Sequence, residues 1–297
     1  MRKSLWASSI IALTASMSGS IAKEAYEYGK KIGYRGSFDE SKINDLFLKH
    51  EIHDIRIKNH KGLLLQGYFI AKENANKTLI VLHSFGQSSL NMEPYIDYFE
   101  RLLENTNILL IDANAHGNSD GYIRGFGYRD VIDLMYWNTY ILQRFGQDHT
   151  IIMYGKEMGA NTILNAAGMN KLKNVKAIIS EGAYGNVYHY LGYSFAKNTK
   201  TMHLVAPIIQ RAIFDELHQD IRKMNTVKFV KKNNIPTLFV HSKDDQKVNF
   251  KNVLELYNHN ASFKELFPIK EKYLYQIDES DEYSQTINHF IKDYIGG

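Results

Sequence analysis

The feature that most constrains this chain is a regular alternation of short apolar runs and longer amphipathic segments from residue 51 onward. The short runs have the length of buried strands. They lie at 79–83, 108–112, 151–154, 177–180, 237–241 and 273–277. Between them, apolar residues recur at helical spacing, most clearly at 131–145 and 283–294. Strands alternating with helices predict an α/β fold, in which a mostly parallel sheet is covered by helices on both faces.

Two intervals modify this pattern. At the start, residues 52–58 and 63–71 flank a four-residue turn, which predicts a strand-turn-strand unit. Further on, more than fifty residues separate the strand ending near Ser180 from the one beginning at Thr237, and a simple crossover needs far fewer. We therefore expect a helical cap insert at about 186–230, either as a lid over a ligand site or as a packed extra layer.

Composition excludes several classes of protein. Of the 297 residues, 44% are hydrophobic, 23% are charged and four are proline, which indicates a globular chain rather than a disordered one. The sequence contains no cysteine, so disulfides, thiolate metal sites and a cysteine nucleophile are excluded. The net charge of +4 is spread along the chain and predicts no nucleic-acid partner.

The first residues have the features of an export signal. Two basic residues precede an uncharged stretch from Leu5 to Ala22, and small residues at Ser20 and Ala22 fit a small-x-small cleavage site. Basic residues before the stretch would keep the N-terminus inside and send the body outward. An amphipathic or buried N-terminal helix in a cytoplasmic protein is the alternative.

These features predict three parts. Residues 1–22 would be a signal peptide or membrane anchor, residues 23–50 a leader or linker helix, and residues 51–297 the folded domain with its cap insert. The expected location is extracytoplasmic, with the protein secreted or held at a membrane by its N-terminal segment.

Three loops that follow predicted strands carry motifs, at 82–86, 112–121 and 154–160. Their order resembles the α/β-hydrolase superfamily, particularly the bacterial serine esterase and peptidase-like branch with an N-terminal membrane segment. In that branch the loops look like H-G-x-x, D-x-x-x-H-G-x-S-x-G and G-x-S-x-G. The resemblance extends from about residue 52 to the end and implies an α/β-hydrolase fold with hydrolytic ancestry.

The resemblance places Glu157 at the nucleophile position, where the family has serine on a tight strand-to-helix turn. It also implies two backbone N–H groups that stabilise an oxyanion, those of Phe85 and Met158. No serine occurs between Met153 and Asn170, so no shift of frame restores the nucleophile.

Of the other two triad positions, the sequence keeps a residue suited to the acid but none suited to the base. Residues 241–248 resemble the family's H-G-x-x-D-x-x-V loop, which places Asp245 at the acid position, or Asp244 if the loop shifts by one. The family's base is a histidine between the last strand and the final helix, but residues 276–283 contain none. His289 lies well inside the final helical pattern, which makes it a poor base. Two of the three triad positions are therefore replaced.

Three functions remain open. We expect a pseudo-hydrolase without cofactor that serves as a binding or envelope-associated module for a small-molecule, acyl or peptide ligand, or for an envelope protein. The first alternative is an active hydrolase that uses Glu157 as nucleophile or general base. Its partner would be His83, His116 or His241, which in the family brace loops. The second is a metal site of Glu157, Asp245 and one such histidine, but no ligand spacing supports it, and we expect no metal.

Overall fold

The chain is described by a computed structural model over residues 19–38, 49–269 and 281–295. In these residues an eight-stranded sheet forms the centre, in the order β1-β2-β4-β3-β5-β6-β7-β8. The strands are β1 Ile52–Lys58, β2 Leu64–Ile70, β3 Lys77–Leu82, β4 Thr106–Ile111, β5 Thr150–Lys156, β6 Val175–Glu181, β7 Thr237–Ser242 and β8 Lys264–Ile269. Strand β2 is antiparallel to β1 and β4, and the remaining pairs are parallel. The carboxyl ends of the parallel strands therefore meet at one edge.

Helices cover both faces of the sheet. They are α1 Gly19–Ile32, α2 Glu93–Leu102, α3 Val131–Phe145, α4 Met158–Gly168, α5 Val187–Ala196, α6 Thr199–Leu217, α7 Val227–Val230, α8 Lys251–His259 and α9 Asp281–Ile295. Helices α3, α4 and α8 share one apolar core with the sheet, and α2 and α9 share the other. Successive strand residues point to opposite faces, which explains why the buried strands are apolar throughout. The predicted mostly parallel sheet with helices on both faces is confirmed.

The last strand differs from the sequence prediction. The structure adds β8 at Lys264–Ile269, which the apolar pattern did not indicate. This strand lies at the edge of the sheet and contains Pro268, a residue that edge strands tolerate because they lack a second neighbour. The strand predicted at 273–277 lies outside the described residues.

The interval between β6 and β7 folds as a helical insert. Helices α5 and α6 pack together and form a third apolar core, which includes Tyr190, Leu191, Val205 and Ile209. Helix α1 joins the same core through Ala25, which is fully buried. The structure thus has an additional packed helical layer, made by the insert and the N-terminal helix together.

Helix α1 includes residues from both predicted N-terminal segments. It begins at Gly19, so the boundary predicted at residues 22 and 23 falls within its first turn. It ends at Ile32, well short of residue 50, because Gly33 disfavours continuation of a helix and Tyr34 then pairs with Ile123 in a β-bridge. Residues 1–18 of the predicted signal or anchor lie outside the described residues. Over the described ranges, no helix has the length and hydrophobicity needed to span a bilayer.

Gly29 allows α1 to approach α6 closely. A Cβ atom at this position would lie 2.7 Å from Ala212 Cβ and 2.8 Å from the carbonyl oxygen of Ile209. We expect Gly29→Leu to lower the free energy of unfolding by about 1–3 kcal/mol, because overpacking forces the two helices apart. Urea unfolding of the full chain would measure this loss. Gly19→Ala is the matched control, since nothing lies within 4 Å of a Cβ there. Equal stability of the two variants would contradict the packing of α1 on α6.

Candidate functional site

The turn between β5 and α4 retains the geometry that an elbow requires. Glu157 has φ 46° and ψ −108°, a left-handed conformation that costs a long side chain about 1–3 kcal/mol. Two glycines make the turn sterically feasible. A Cβ atom on Gly155 would lie 2.5 Å from the backbone nitrogen of Ala160, and one on Gly159 would lie 2.5 Å from the carbonyl oxygen of Leu82. The strained strand-to-helix turn is therefore present with glutamate at its apex.

The Glu157 carboxylate is buried and paired with a lysine. Only 7% of the residue is exposed, and its Oε1 lies 3.5 Å from Nζ of Lys247. Burial raises the pKa of Glu157 above its ordinary value, the charge of Lys247 opposes this rise, and the charge of Asp245 adds to it. The sequence analysis did not predict Lys247, although it lies two residues after the predicted acid.

Asp245 is held in place by its own loop. Its Oδ1 accepts hydrogen bonds from the backbone N–H groups of Lys247 (2.7 Å) and Val248 (2.9 Å), and its Oδ2 lies 3.6 Å from Nε2 of His241. Asp244 is exposed to solvent. The charge of Asp245 acts on Glu157, and Lys247 from the same loop pairs with Glu157.

The loops that would supply oxyanion donors are joined directly. Met158 is the first residue of α4, where backbone N–H groups have no partner within the helix. The N–H of Gly159 donates to the carbonyl oxygen of His83 (3.2 Å), which fastens the loop carrying Phe85 to the elbow. Both sequence-predicted donor residues thus lie on loops adjoining Glu157.

Two of the three histidines considered as bases brace loops. The ring of His83 bonds the carbonyl oxygen of Ser84 through Nδ1 and accepts the N–H of Ala113 at Nε2. Nε2 of His241 lies 2.8 Å from the carbonyl oxygen of Val248 and donates to it. Burial lowers the pKa of both rings, so both favour the neutral form. Both nitrogens of His83 are thus occupied, whereas Nδ1 of His241 is buried and has no hydrogen-bond partner among the described residues.

His116, like His241, has one ring nitrogen without a partner in the described part of the chain. Its Nδ1 donates to the carbonyl oxygen of Asn114 (2.9 Å), whereas Nε2 is buried and has no hydrogen-bond partner among the described residues. Burial lowers the pKa of His116 well below its ordinary value, and the neighbouring charges of His83 and Arg124 lower it further. An unpartnered neutral nitrogen of this kind can accept a hydrogen bond from a ligand.

The histidine of the final helix lies at the surface. His289 is exposed on α9, where its Nε2 lies 3.3 Å from Asp293. The start of α9 instead contributes Tyr283, whose hydroxyl donates to Oε2 of Glu181 (3.3 Å). Residues 270–280, which include most of the segment where the family has its base, lie outside the described residues.

A buried polar cluster lies beside the elbow and was not predicted. Nζ of Lys156 lies 3.2 Å from Oε1 of Glu181 and donates to the hydroxyl of Tyr95, while the hydroxyl of Tyr154 donates to Oε2 of Glu181. Burial opposes the charge on Lys156, but Glu181 and Tyr95 together raise its pKa above the ordinary value. We call Lys156, Glu181, Tyr95, Tyr154 and Tyr283 the lysine–glutamate cluster. It fixes the residue preceding Glu157 and leaves that lysine no role as a free base.

Aromatic side chains from the cap and the neighbouring loops fill the space beside Glu157. Phe85 stacks on Phe126 with ring centroids 5.4 Å apart, and Tyr184 stacks on Tyr190 at 4.1 Å. Burial raises the pKa of both tyrosines, and the nearby charge of Glu157 raises it further. We call these four residues the aromatic cluster. Tyr184 and Tyr190 both belong to the apolar core that the insert forms.

A metal site of Glu157, Asp245 and a histidine finds no support in the geometry. In the described part of the chain, the one group of three such side chains with converging ligand atoms is His50, Asp97 and Glu100. That group is remote from the elbow in sequence, and Lys72 already pairs with Glu100 at 3.4 Å. Glu157 is neutralised by Lys247 instead.

Comparison with known proteins supports the fold. No family model matches the chain. The chain is 24% identical over 233 residues to the uncharacterized protein YqkD of Bacillus subtilis, covering 77% of this chain and 76% of that protein. An esterase of Pyrococcus furiosus superposes with a TM-score of 0.69 at 19% identity, covering 90% of this chain and 98% of the esterase. The α/β-hydrolase GrgF of a Penicillium species gives 0.62 at 16% identity, covering 83% and 99%. This chain has the α/β-hydrolase fold.

Proposed function

We propose that this protein is a pseudo-hydrolase, which keeps the α/β-hydrolase scaffold as a binding module and has lost serine-hydrolase chemistry. One observation carries the proposal. The strained elbow is intact, but its apex holds Glu157 in an ion pair with Lys247, where a nucleophile would need to be free.

The surroundings of Glu157 support the same conclusion. A carboxylate that is paired with an ammonium group is a weakened nucleophile, since the ion pair reduces its available negative charge. Both ring nitrogens of His83 and Nε2 of His241 are occupied by backbone groups. Without a base, even a serine at this position would not be activated.

We further propose that the protein acts outside the cytoplasm, where an envelope protein or a small acyl or peptide ligand would be its partner. The sequence features of residues 1–22 motivate this location. Fractionation of cells that express the full chain would test it, and recovery in the cytoplasmic fraction alone would refute it.

A second candidate is an active hydrolase that uses Glu157 itself. The retained elbow geometry and the raised pKa of Glu157 favour it, because a carboxyl group whose pKa is raised by burial can serve as a general acid or base. In this case Lys247 would hold the carboxylate in position. Glu157→Gln, which preserves shape and removes the charge, distinguishes the two candidates.

We expect the purified protein to show no turnover of short-chain p-nitrophenyl esters and no labelling by a fluorophosphonate probe. Glu157→Ser alone should remain inactive, since a triad serine without its histidine loses roughly a millionfold in turnover. A histidine introduced at residues 279–281 together with Glu157→Ser should restore labelling. The assay reads both product release and covalent labelling of the intact chain.

Two outcomes would contradict the pseudo-hydrolase. Ester, epoxide or haloalkane turnover by the wild-type protein that disappears in Glu157→Gln would establish the second candidate. Labelling of the wild-type protein that a single substitution abolishes would identify another nucleophile. Lys243→Gln, an exposed lysine beyond β7, serves as the control for unspecific loss of activity.

A further inference from the structure

A cleft lies between the loops that follow β3 and β4. Its walls include Gly86 to Asn91 from the first loop, Ala115 to Gly117 from the second, and Arg124. Residues 36–38, which follow α1, form a third wall. The cleft is partly open to solvent and its volume is about 130 Å³, which limits it to a small ligand. We call this space the β3–β4 cleft.

Two buried polar side chains line the cleft and have unsatisfied atoms. His116 is 3% exposed and its Nε2 has no hydrogen-bond partner within the described ranges. Arg124 is 8% exposed, and its Nε likewise lacks a partner there. The guanidinium lies over the ring of Phe85, 4.9 Å from the centroid, which holds it in place. Both atoms have almost no exposed surface, and buried polar atoms without partners are costly, so a ligand that reaches them from the cleft would be favoured.

The charge around the cleft is positive. The described residues that line it include Arg124 and no aspartate or glutamate. Arg35 lies behind the second loop, where its guanidinium donates to the carbonyl oxygens of Gly117 and Ser119. Asp112, the nearest carboxylate on these loops, is occupied by Ser89 and Asn118. A site with a fixed guanidinium and no facing carboxylate favours an anion.

The neutral ring of His116 restricts the class of anion. With Nδ1 donating to Asn114, Nε2 can only accept a hydrogen bond, so the ligand must offer a hydroxyl. We propose that the β3–β4 cleft binds a small oxyanion that carries a hydroxyl group, with the oxyanion on Arg124 and the hydroxyl on Nε2 of His116. Protonated inorganic phosphate has both features. This inference names a class of ligand for the proposed binding function, and the biological role of the cleft rests on that function.

Isothermal titration of the full chain with inorganic phosphate tests the site, with inorganic sulfate as the comparison at equal ionic strength. At about pH 7 phosphate carries a hydroxyl and sulfate does not, so we expect phosphate to bind more tightly. Arg124→Gln should weaken phosphate binding by about tenfold or more, since it removes the charge-assisted hydrogen bonds. His116→Phe should remove the preference for phosphate over sulfate.

Arg129→Gln is the matched control, because Arg129 is exposed, lies outside the cleft walls and makes the same change of charge. Arg124→Lys keeps the charge without the fork of donors and should bind with intermediate affinity. Circular dichroism would confirm that each variant is folded, and Arg124→Lys serves as the test if Arg124→Gln is not. Absence of saturable phosphate binding by the wild-type protein would overturn the site. So would equal loss of affinity in Arg124→Gln and Arg129→Gln.

The outcomes for the cleft and for the elbow are independent. Hydrolysis that depends on Glu157 would refute the pseudo-hydrolase and leave phosphate binding at Arg124 unaffected. Conversely, a chain that neither binds phosphate nor hydrolyses esters would refute the cleft site alone. Sulfate binding equal to phosphate binding, unchanged in His116→Phe, would refute the hydroxyl requirement.

Discussion

Lys156→Met is expected to lower the free energy of unfolding by about 3–5 kcal/mol, because it leaves the carboxylate of Glu181 buried without its counter-charge. Glu181 is 2% exposed and Lys156 9% exposed, so solvent replaces little of the lost interaction. The hydroxyl groups of Tyr154 and Tyr283 still donate to Glu181, but they carry no positive charge. Urea unfolding near neutral pH, followed by circular dichroism, would measure the loss.

The double variant Lys156→Met with Glu181→Gln separates charge from packing. Glutamine keeps an oxygen acceptor for the two tyrosine hydroxyls and removes the buried charge, so we expect it to recover most of the lost stability. Lys176→Met is the control, because Lys176 is an exposed lysine on β6 and its replacement should change stability by no more than about 0.5 kcal/mol. If Lys156→Met lost no more stability than Lys176→Met, the buried ion pair of Lys156 and Glu181 would not stabilise the fold, and the prediction would be wrong.

The sheet and its covering helices followed from local patterns in the sequence. Apolar runs identified β3 to β7, and helical periodicity identified α3 and α9, because burial on both faces of a parallel sheet leaves a distinct pattern. Strand β8 was not predicted from the sequence. It is an edge strand with partly buried residues and Pro268, so neither apolar continuity nor strict alternation marks it.

The candidate site was only partly predictable. The position of Glu157 followed from a motif, since glycines at fixed spacing mark a tight turn. Its partner Lys247 is ninety residues further along the chain, and no local pattern links the two. The same holds for Lys156 with Glu181 and for Arg124 with Phe85. Such pairs depend on which loops the sheet order brings together, which residue spacing does not encode.

Asp130→Asn is expected to alter the pH dependence of stability. Asp130 begins α3 and is 4% exposed; its Oδ2 accepts the N–H of Gly127 (2.7 Å), and its Oδ1 has no partner among the described residues. Burial raises the pKa of Asp130 to about 7, and the charge of Asp133 adds to the rise. Between about pH 4 and pH 7, the native state therefore keeps the Asp130 carboxyl protonated, whereas the unfolded chain has released this proton.

The direction of the effect follows from proton linkage. Because the native pKa of Asp130 lies above the unfolded value of 3.8, the contribution of this carboxyl is fully present below about pH 4 and is lost as the pH rises through about 7. A shift of this size corresponds to about 4 kcal/mol. Relative to the wild-type protein, Asp130→Asn should therefore gain about 4 kcal/mol in unfolding free energy between about pH 4 and pH 8.

Urea unfolding at a series of pH values would measure this difference directly. The test compares how the unfolding free energy of each protein changes with pH, not its absolute value. The asparagine amide lies where Oδ1 lacks a partner, and this lowers the stability of Asp130→Asn by the same amount at every pH. Asp148→Asn, at an exposed position before β5, is the matched control and should follow the wild-type curve within about 0.5 kcal/mol. Parallel curves for Asp130→Asn and the wild-type protein would mean that Asp130 titrates alike in the native and unfolded states. Its burial at the start of α3 would then impose no penalty on its charge.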